Sequence, residues 1–202
     1  DLEIRGAGNL LGPEQHGQLA AVGFELYTRL LDEAVRELRG QMIEEMPDAT
    51  IDLGVDAYVP ETYIEDDGQR MAAYRKLAAA RTLDEAQAVA DELTDRFGAL
   101  PEPAANLVEI VRLRAIARDA GVASITREKG LIAIRSARPL QLPDDDRIQL
   151  ATRLRGRAAV TGGVLHLQPR ARRFADDAEW IREALVALGE LARRREPAPA
   201  LL

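Results

Sequence analysis

Val122-Ala123-Ser124-Ile125-Thr126 and Leu131-Ile132-Ala133-Ile134-Arg135 stand on either side of Glu128-Lys129-Gly130. The flanks are short and rich in apolar residues, and the Gly-containing connection reads as a hairpin-like turn between two short strands. Val160 and Val164–Leu167 around Gly162-Gly163 repeat the signal. Upstream, Ile51, Leu53 and Val55 alternate with polar residues, which predicts another strand, and Pro60 falls in the loop after it.

Helical periodicity fills the space between these strands. A helix is expected from about Asp66 to Ala80, with Met71, Tyr74, Leu77 and Ala78 inward. Thr82 and Glu85 form a capping-box pattern, in which hydroxyl and carboxylate satisfy each other's backbone donors. The helix they open carries Leu83, Ala86, Ala90, Leu93 and Phe97 on one face, and Gly98 and Pro101 end it. A further helix holds Leu107, Ile110, Val111, Leu113 and Ile116 and closes at Gly121. Two more helices are expected, one around Asp146–Leu154 and one over about Asp177–Arg194, before a tail with Pro197 and Pro199. Strands and helices cluster without a βαβ rhythm, so the fold class is α+β, a compact mixture of helices and antiparallel strands over residues 50–202. Residues 1–49 read differently. A Gly-rich loop with Pro13 covers 1–23; Phe24, Tyr27, Leu30, Leu31, Ala34, Val35 and Leu38 then recur at helix spacing up to Gly40. Residues 41–50 are polar and acidic with Pro47 and read as a linker.

Composition removes several function classes. The 202 residues contain no cysteine, and the two histidines, His16 and His166, stand far apart. Disulfides, thiolate metal sites and a histidine-rich zinc site are therefore not expected. No apolar run is long enough to cross a bilayer and no signal-peptide pattern opens the chain, which points to the cytoplasm and away from membrane partners. The chain begins at Asp1-Leu2-Glu3-Ile4-Arg5-Gly6, without Met and in mid-motif, and reads as an internal stretch of a longer polypeptide. Net charge is -7. Residues 41–101 hold 5 basic and 14 acidic side chains, so -9, whereas 102–202 hold 18 and 13, so +5. An acidic middle repels phosphate and suits a basic protein surface.

Nucleotide chemistry finds no support within the chain. Gly6-Ala7-Gly8 with Gly12 is a loosened dinucleotide fingerprint that lacks the preceding buried strand. Asp91-Glu92-Leu93-Thr94 looks like the acidic box of a nucleotide hydrolase, but it lies in an amphipathic helix, and no Gly-Lys-Ser/Thr phosphate loop exists. No Ser/His/Asp or Cys/His set is suggested. Catalytic, cofactor-binding and metal-binding residues are expected to be absent.

The segment Asp1-Leu2-Glu3-Ile4-Arg5-Gly6-Ala7-Gly8-Asn9-Leu10-Leu11-Gly12-Pro13-Glu14-Gln15-His16-Gly17 resembles a translocation motif shared by the transcription-repair coupling factors (Mfd) and RecG. Gly23-Phe24 with Leu26-Tyr27 resembles the coupling-factor branch. A second stretch is similar to that family's C-terminal regulatory domain, which RecG lacks. It begins at Val55-Asp56-Ala57-Tyr58-Val59-Pro60-Glu61-Thr62-Tyr63-Ile64, continues through Arg70, Tyr74, Leu77 and Ala78, and ends with Glu92-Leu93-Thr94-Asp95-Arg96-Phe97-Gly98-Ala99-Leu100-Pro101.

The resemblance implies a parent that is an ATP-dependent double-stranded DNA translocase, using ATP and Mg, which displaces stalled RNA polymerase and recruits UvrA in nucleotide-excision repair. This chain alone would be no complete enzyme. Arg5 and Gln15 match the positions that couple hydrolysis to translocation; the plainer reading is that they knit the loop together. The terminal domain would autoinhibit by docking on the parent's N-terminal UvrB-like module through Glu92, Asp95 and Arg96, which at i, i+3 and i+4 share a helix face. Here the plainer reading is a solvated face with an internal salt bridge. A different class of function, a free-standing basic-tailed nucleic-acid-binding domain, would rest on Arg153, Arg155, Arg157, Arg170, Arg172 and Arg173. It lacks interleaved aromatics and any groove-reading motif.

Overall fold

A computed structural model describes residues 48–169 and 174–195. The expected loop over 1–23, the expected helix from Phe24 to Leu38, Arg5, Gln15, Arg170, Arg172, Arg173 and the tail with Pro197 and Pro199 lie outside the described residues.

Strand β1 is Thr50–Asp52, and helices α1 (Asp67–Ala79), α2 (Leu83–Phe97) and α3 (Glu102–Asp119) follow. Strands β2 (Val122–Glu128) and β3 (Leu131–Ser136) come next, then α4 (Asp144–Arg153), β4 (Ala158–Thr161), β5 (Val164–Leu167) and α5 (Phe174–Arg195). Local chemistry explains the boundaries. Asp66 caps α1 by accepting from the Gln69 amide at 2.8 Å. Thr82 and Glu85 form the expected capping box on α2. Pro101 stands at the start of α3, where its missing N–H costs nothing. Both hairpins turn on two residues with positive φ, Lys129 (49°) with Gly130 (80°) and Gly162 (59°) with Gly163 (77°). That geometry matches the strand twist, and a non-glycine residue such as Lys129 adopts it only under constraint.

The strands form one sheet in the order β1-β2-β3-β5-β4. The fold is α+β as expected, but the sheet is mixed. β1 runs parallel to β2, with Ile51 opposite Ile125, while the other neighbours are antiparallel. The reason is the length of the connection: three helices lie between β1 and β2, so the chain can return to the starting end of the sheet before re-entering it. The first strand also stops earlier than the alternation suggests, because the Asp52 carboxylate accepts from the Gly54 amide at 3.3 Å and the chain turns there. Asp48 and Ala49, read above as linker, belong to the compact unit: Ala49 is buried, and Asp48 is held by Arg81, between α1 and α2, and by Arg118 of α3.

Two hydrophobic clusters result. Ile51, Ile125, Ile132, Ile134, Leu165 and Leu167 from one sheet face pack on Trp180, Ile181, Leu185 and Leu188 of α5 and on Leu113 of α3. The other sheet face carries the alternate residues, Ser124, Thr126, Arg135 and His166 among them, as expected for a sheet covered on one side. The second cluster joins Ala57, Val59 and Ile64 to Leu77, Ala86, Leu93, Leu107 and Val111. Helix α3 serves both, and Val55 and Ile110 touch both clusters. This double duty explains why α3 is buried over more than one face.

Candidate functional site

Helix α2 is amphipathic, and its inward side holds Ala86, Ala90 and Leu93. Phe97 is half-buried against Tyr63, the ring centroids 5.9 Å apart in an edge-to-face arrangement. Leu83, expected inward, is 44% exposed. Its angular position is right, but it is the first helical residue and no neighbouring element covers that turn. Met71 and Tyr74 of α1 are likewise only half-buried, whereas Leu77 and Ala78 are in the core as expected.

The C-terminal end of α2 is fastened from outside. The Tyr63 hydroxyl lies 2.9 Å from both the Leu93 and the Gly98 carbonyl oxygens, so its proton is shared between two acceptors. Burial raises its pKa above the usual phenol value, which keeps it a donor. Tyr74 plays a matching part for the preceding loop: its hydroxyl accepts from the Val59 amide at 2.9 Å. Arg70 donates to the Ile64 carbonyl at 2.7 Å and pairs with Asp67. The residues that make the stretch 55–78 distinctive are therefore largely side-chain fasteners for backbone groups.

Glu92, Asp95 and Arg96 fall on the outward side of this fixed helix. The Glu92 carboxylate accepts from Lys76 Nζ of α1 at 2.6 and 2.5 Å and from Arg96 Nη1 at 3.1 Å. The Lys76 bond first, then the Arg96 bond, hold its pKa below the usual carboxylate value. Arg96 also donates from Nη2 to Gln69 Oε1 at 3.0 Å, and its guanidinium carbon lies 4.9 Å from the Phe97 ring centroid. Asp95 is exposed, and no described residue pairs with its carboxylate. The structure thus brings Glu92 and Arg96 together as an i, i+4 pair and leaves Asp95 open to solvent. Two participants, Lys76 and Gln69, were missed in the sequence. Their signal was present, since seven residues are two turns and place both on one side of α1. Asp91 and Glu92 lie in mid-helix as expected, with Asp91 accepting from Gln87 at 2.6 Å.

A second charged group lies at the entry to the compact unit. Asp48 pairs with Arg81 at 2.6 Å and with Arg118. Burial alone would raise its pKa, but the Arg118 hydrogen bond and the charges of Arg114, Arg81 and Arg118 outweigh that and hold it below the usual value. Among the arginines proposed for nucleic-acid contact, Arg153 is bonded by Glu190, while Arg155 and Arg157 are exposed. Among the described residues no helix is long and apolar enough to cross a membrane.

Comparison with known proteins follows the same geography. The TRCF domain family matches residues 53–144, the three helices and the first hairpin. Transcription-repair-coupling factors of Mycobacterium bovis and Mycobacterium tuberculosis are each 48% identical, with 74% of this chain covered; that of Staphylococcus aureus (strain USA300) is 42% identical over 65% of it. The chain spans only 13% of the length of the two mycobacterial relatives and 11% of the staphylococcal one. A crystal structure of a transcription-repair coupling factor C-terminal domain superposes with a TM-score of 0.64 at 23% identity, covering 76% of this chain and 99% of that one, a likeness of fold. This chain belongs to the transcription-repair coupling factor family.

Proposed function

We propose that this chain is the regulatory end of an ATP-dependent double-stranded DNA translocase of the cytoplasm and that it acts by docking. The outward face of α2, with Glu92, Asp95 and Arg96, closes on the N-terminal UvrB-like module of the same protein. There it covers the surface that recruits UvrA and restrains the motor until RNA polymerase is engaged. The observation that carries this reading is a set of charges presented on a helix whose two ends are fastened, by the capping box and by Tyr63. Such a face meets a partner without reordering. The acidic balance of residues 41–101 suits a basic partner surface. ATP and Mg serve the motor part of the parent. Arg5 and Gln15, outside the described residues, transmit its stroke: Arg5→Ala in the parent should slow translocation more than ATP hydrolysis, and equal losses would place Arg5 in the hydrolytic site instead.

The test of docking is charge reversal in the full-length parent. Asp95→Lys is the cleanest single change, because no described residue pairs with that carboxylate. Combined with reversals at Glu92 and Arg96, it should raise UvrA affinity about tenfold or more and raise the basal ATPase rate, with the melting temperature little changed. Unchanged UvrA affinity in a normally folded variant would show that this face does not hold the closed state.

A further inference from the structure

The three charged residues of the α2 face do not occupy equivalent positions. Glu92 is already saturated: Lys76 engages both carboxylate oxygens and Arg96 shares one of them. A carboxylate between two cations offers little to a third. Asp95 has no described partner. Arg96 lies between these extremes. Two of its five N–H donors are committed, one to Glu92 and one to Gln69, and its plane is set beside the Phe97 ring, yet the side chain remains 48% exposed. An exposed arginine normally samples many rotamers and loses that freedom when it binds. This one is bonded by Glu92 of its own helix and by Gln69 of α1 before any partner arrives.

From this we propose a division of roles within the docking face, resting on the docking function argued above. Asp95 and Arg96 touch the partner, as a neighbouring negative and positive group that fit a cation and a carboxylate side by side. Glu92 and Gln69 are positioning residues that act through Arg96, and Lys76 keeps Glu92 in place. Gln69 therefore belongs to the docking apparatus although it lies on α1, outside the α2 triad. Its carbonyl oxygen is the feature used, since it accepts from Arg96 Nη2 at 3.0 Å. Glutamate at this position keeps the acceptor, whereas alanine removes it.

The experiment is a double-mutant cycle in binding, because a positioning role has a signature that a structural role lacks. The full 202-residue chain is titrated calorimetrically against the separate N-terminal UvrB-like module. Gln69→Ala should weaken binding about five- to tenfold, from the lost preorganisation of one arginine. The same change made on Arg96→Ala should alter affinity less than about twofold, and Gln69→Glu should restore binding. Asp95→Asn should weaken binding whether or not Gln69 is altered. Equal losses from Gln69→Ala with and without Arg96 would show direct contact and overturn the positioning role. A Gln69→Ala chain that binds normally, while Asp95→Asn does not, would overturn it as well and leave docking intact. If Asp95→Asn and Arg96→Ala both bind like the unaltered chain, docking by this face is itself wrong, and the assignment of Gln69 falls with it.

Discussion

Around the sheet, stability is made of bulk: Ile125, Ile132, Ile134, Leu165 and Leu167 face Trp180, Ile181 and Leu185 of α5, all with essentially no exposed surface. Among the helices ahead of it, alanine fills much of the core, at 57, 73, 80, 86 and 90, and the longer polar side chains take up the work of fixing the chain. Tyr63 holds the end of α2, Tyr74 holds the Val59 amide, and Asn106 donates to the Asp56 carbonyl at 2.9 Å. Small core residues let helices approach closely but bury less apolar area each. Directional bonds to backbone groups then select one arrangement among several similar ones. The contrast has a functional side. In the docking function proposed above, the helical half presents the α2 face, and such a face needs fixed geometry more than it needs a deep core.

The largest test of this contrast is Ile134→Ala. Ile134 is central in β3, opposite Ile125 on one side and Leu165 on the other, with no exposure. Urea denaturation followed by Trp180 fluorescence should show a loss of roughly 3–4 kcal/mol from the transfer and cavity costs. A loss below about 1 kcal/mol would mean that the sheet half does not depend on bulk, and the contrast would fail there.

A smaller effect sharpens the other half. Tyr74→Phe keeps the ring and removes only the hydroxyl that accepts from the Val59 amide. The expected cost is about 1 kcal/mol, and amide hydrogen exchange at Val59 should accelerate while exchange in β3 stays as it was. If Val59 exchange does not change, the bond adds nothing to local order, and the fastening role assigned to these tyrosines is mistaken.

The smallest effect belongs to the open face of the sheet, where charge is solvated and neither bulk nor burial operates. Arg135 and Thr126 bond the Glu128 carboxylate and lower its pKa from 4.5 to about 2. A depressed folded-state pKa stabilises above the unfolded value and loses that contribution as pH falls. The stabilisation should therefore be present above about 4.5 and disappear toward about 2. In melting experiments, the difference between the unaltered chain and Glu128→Gln should shrink across that window and shrink further with added salt, because the pair is exposed. A difference that stays constant from neutral pH down to pH 2 would assign it to something other than this ion pair.

Much of this molecule could be read from local pattern. The period of apolar residues marked α1, α2, α3 and both hairpins, and the Thr82–Glu85 box marked the start of α2 to the residue, because capping and turn chemistry act within a few positions of the chain. The helix face shared by Glu92, Asp95 and Arg96 was equally accessible, since it depends only on 3.6 residues per turn. The parallel pairing of β1 with β2 was not, because strand direction depends on where three intervening helices return the chain. The exposure of Leu83 was not either, because the angle around a helix says nothing about whether a neighbour reaches that turn. Packing of α1 beside α2 brings Lys76 to Glu92 and Gln69 to Arg96 across 16 and 27 residues of sequence. Helix spacing sorts residues onto faces; only the packed neighbouring helix decides which charges are neutralised and which, like Asp95, remain open to solvent.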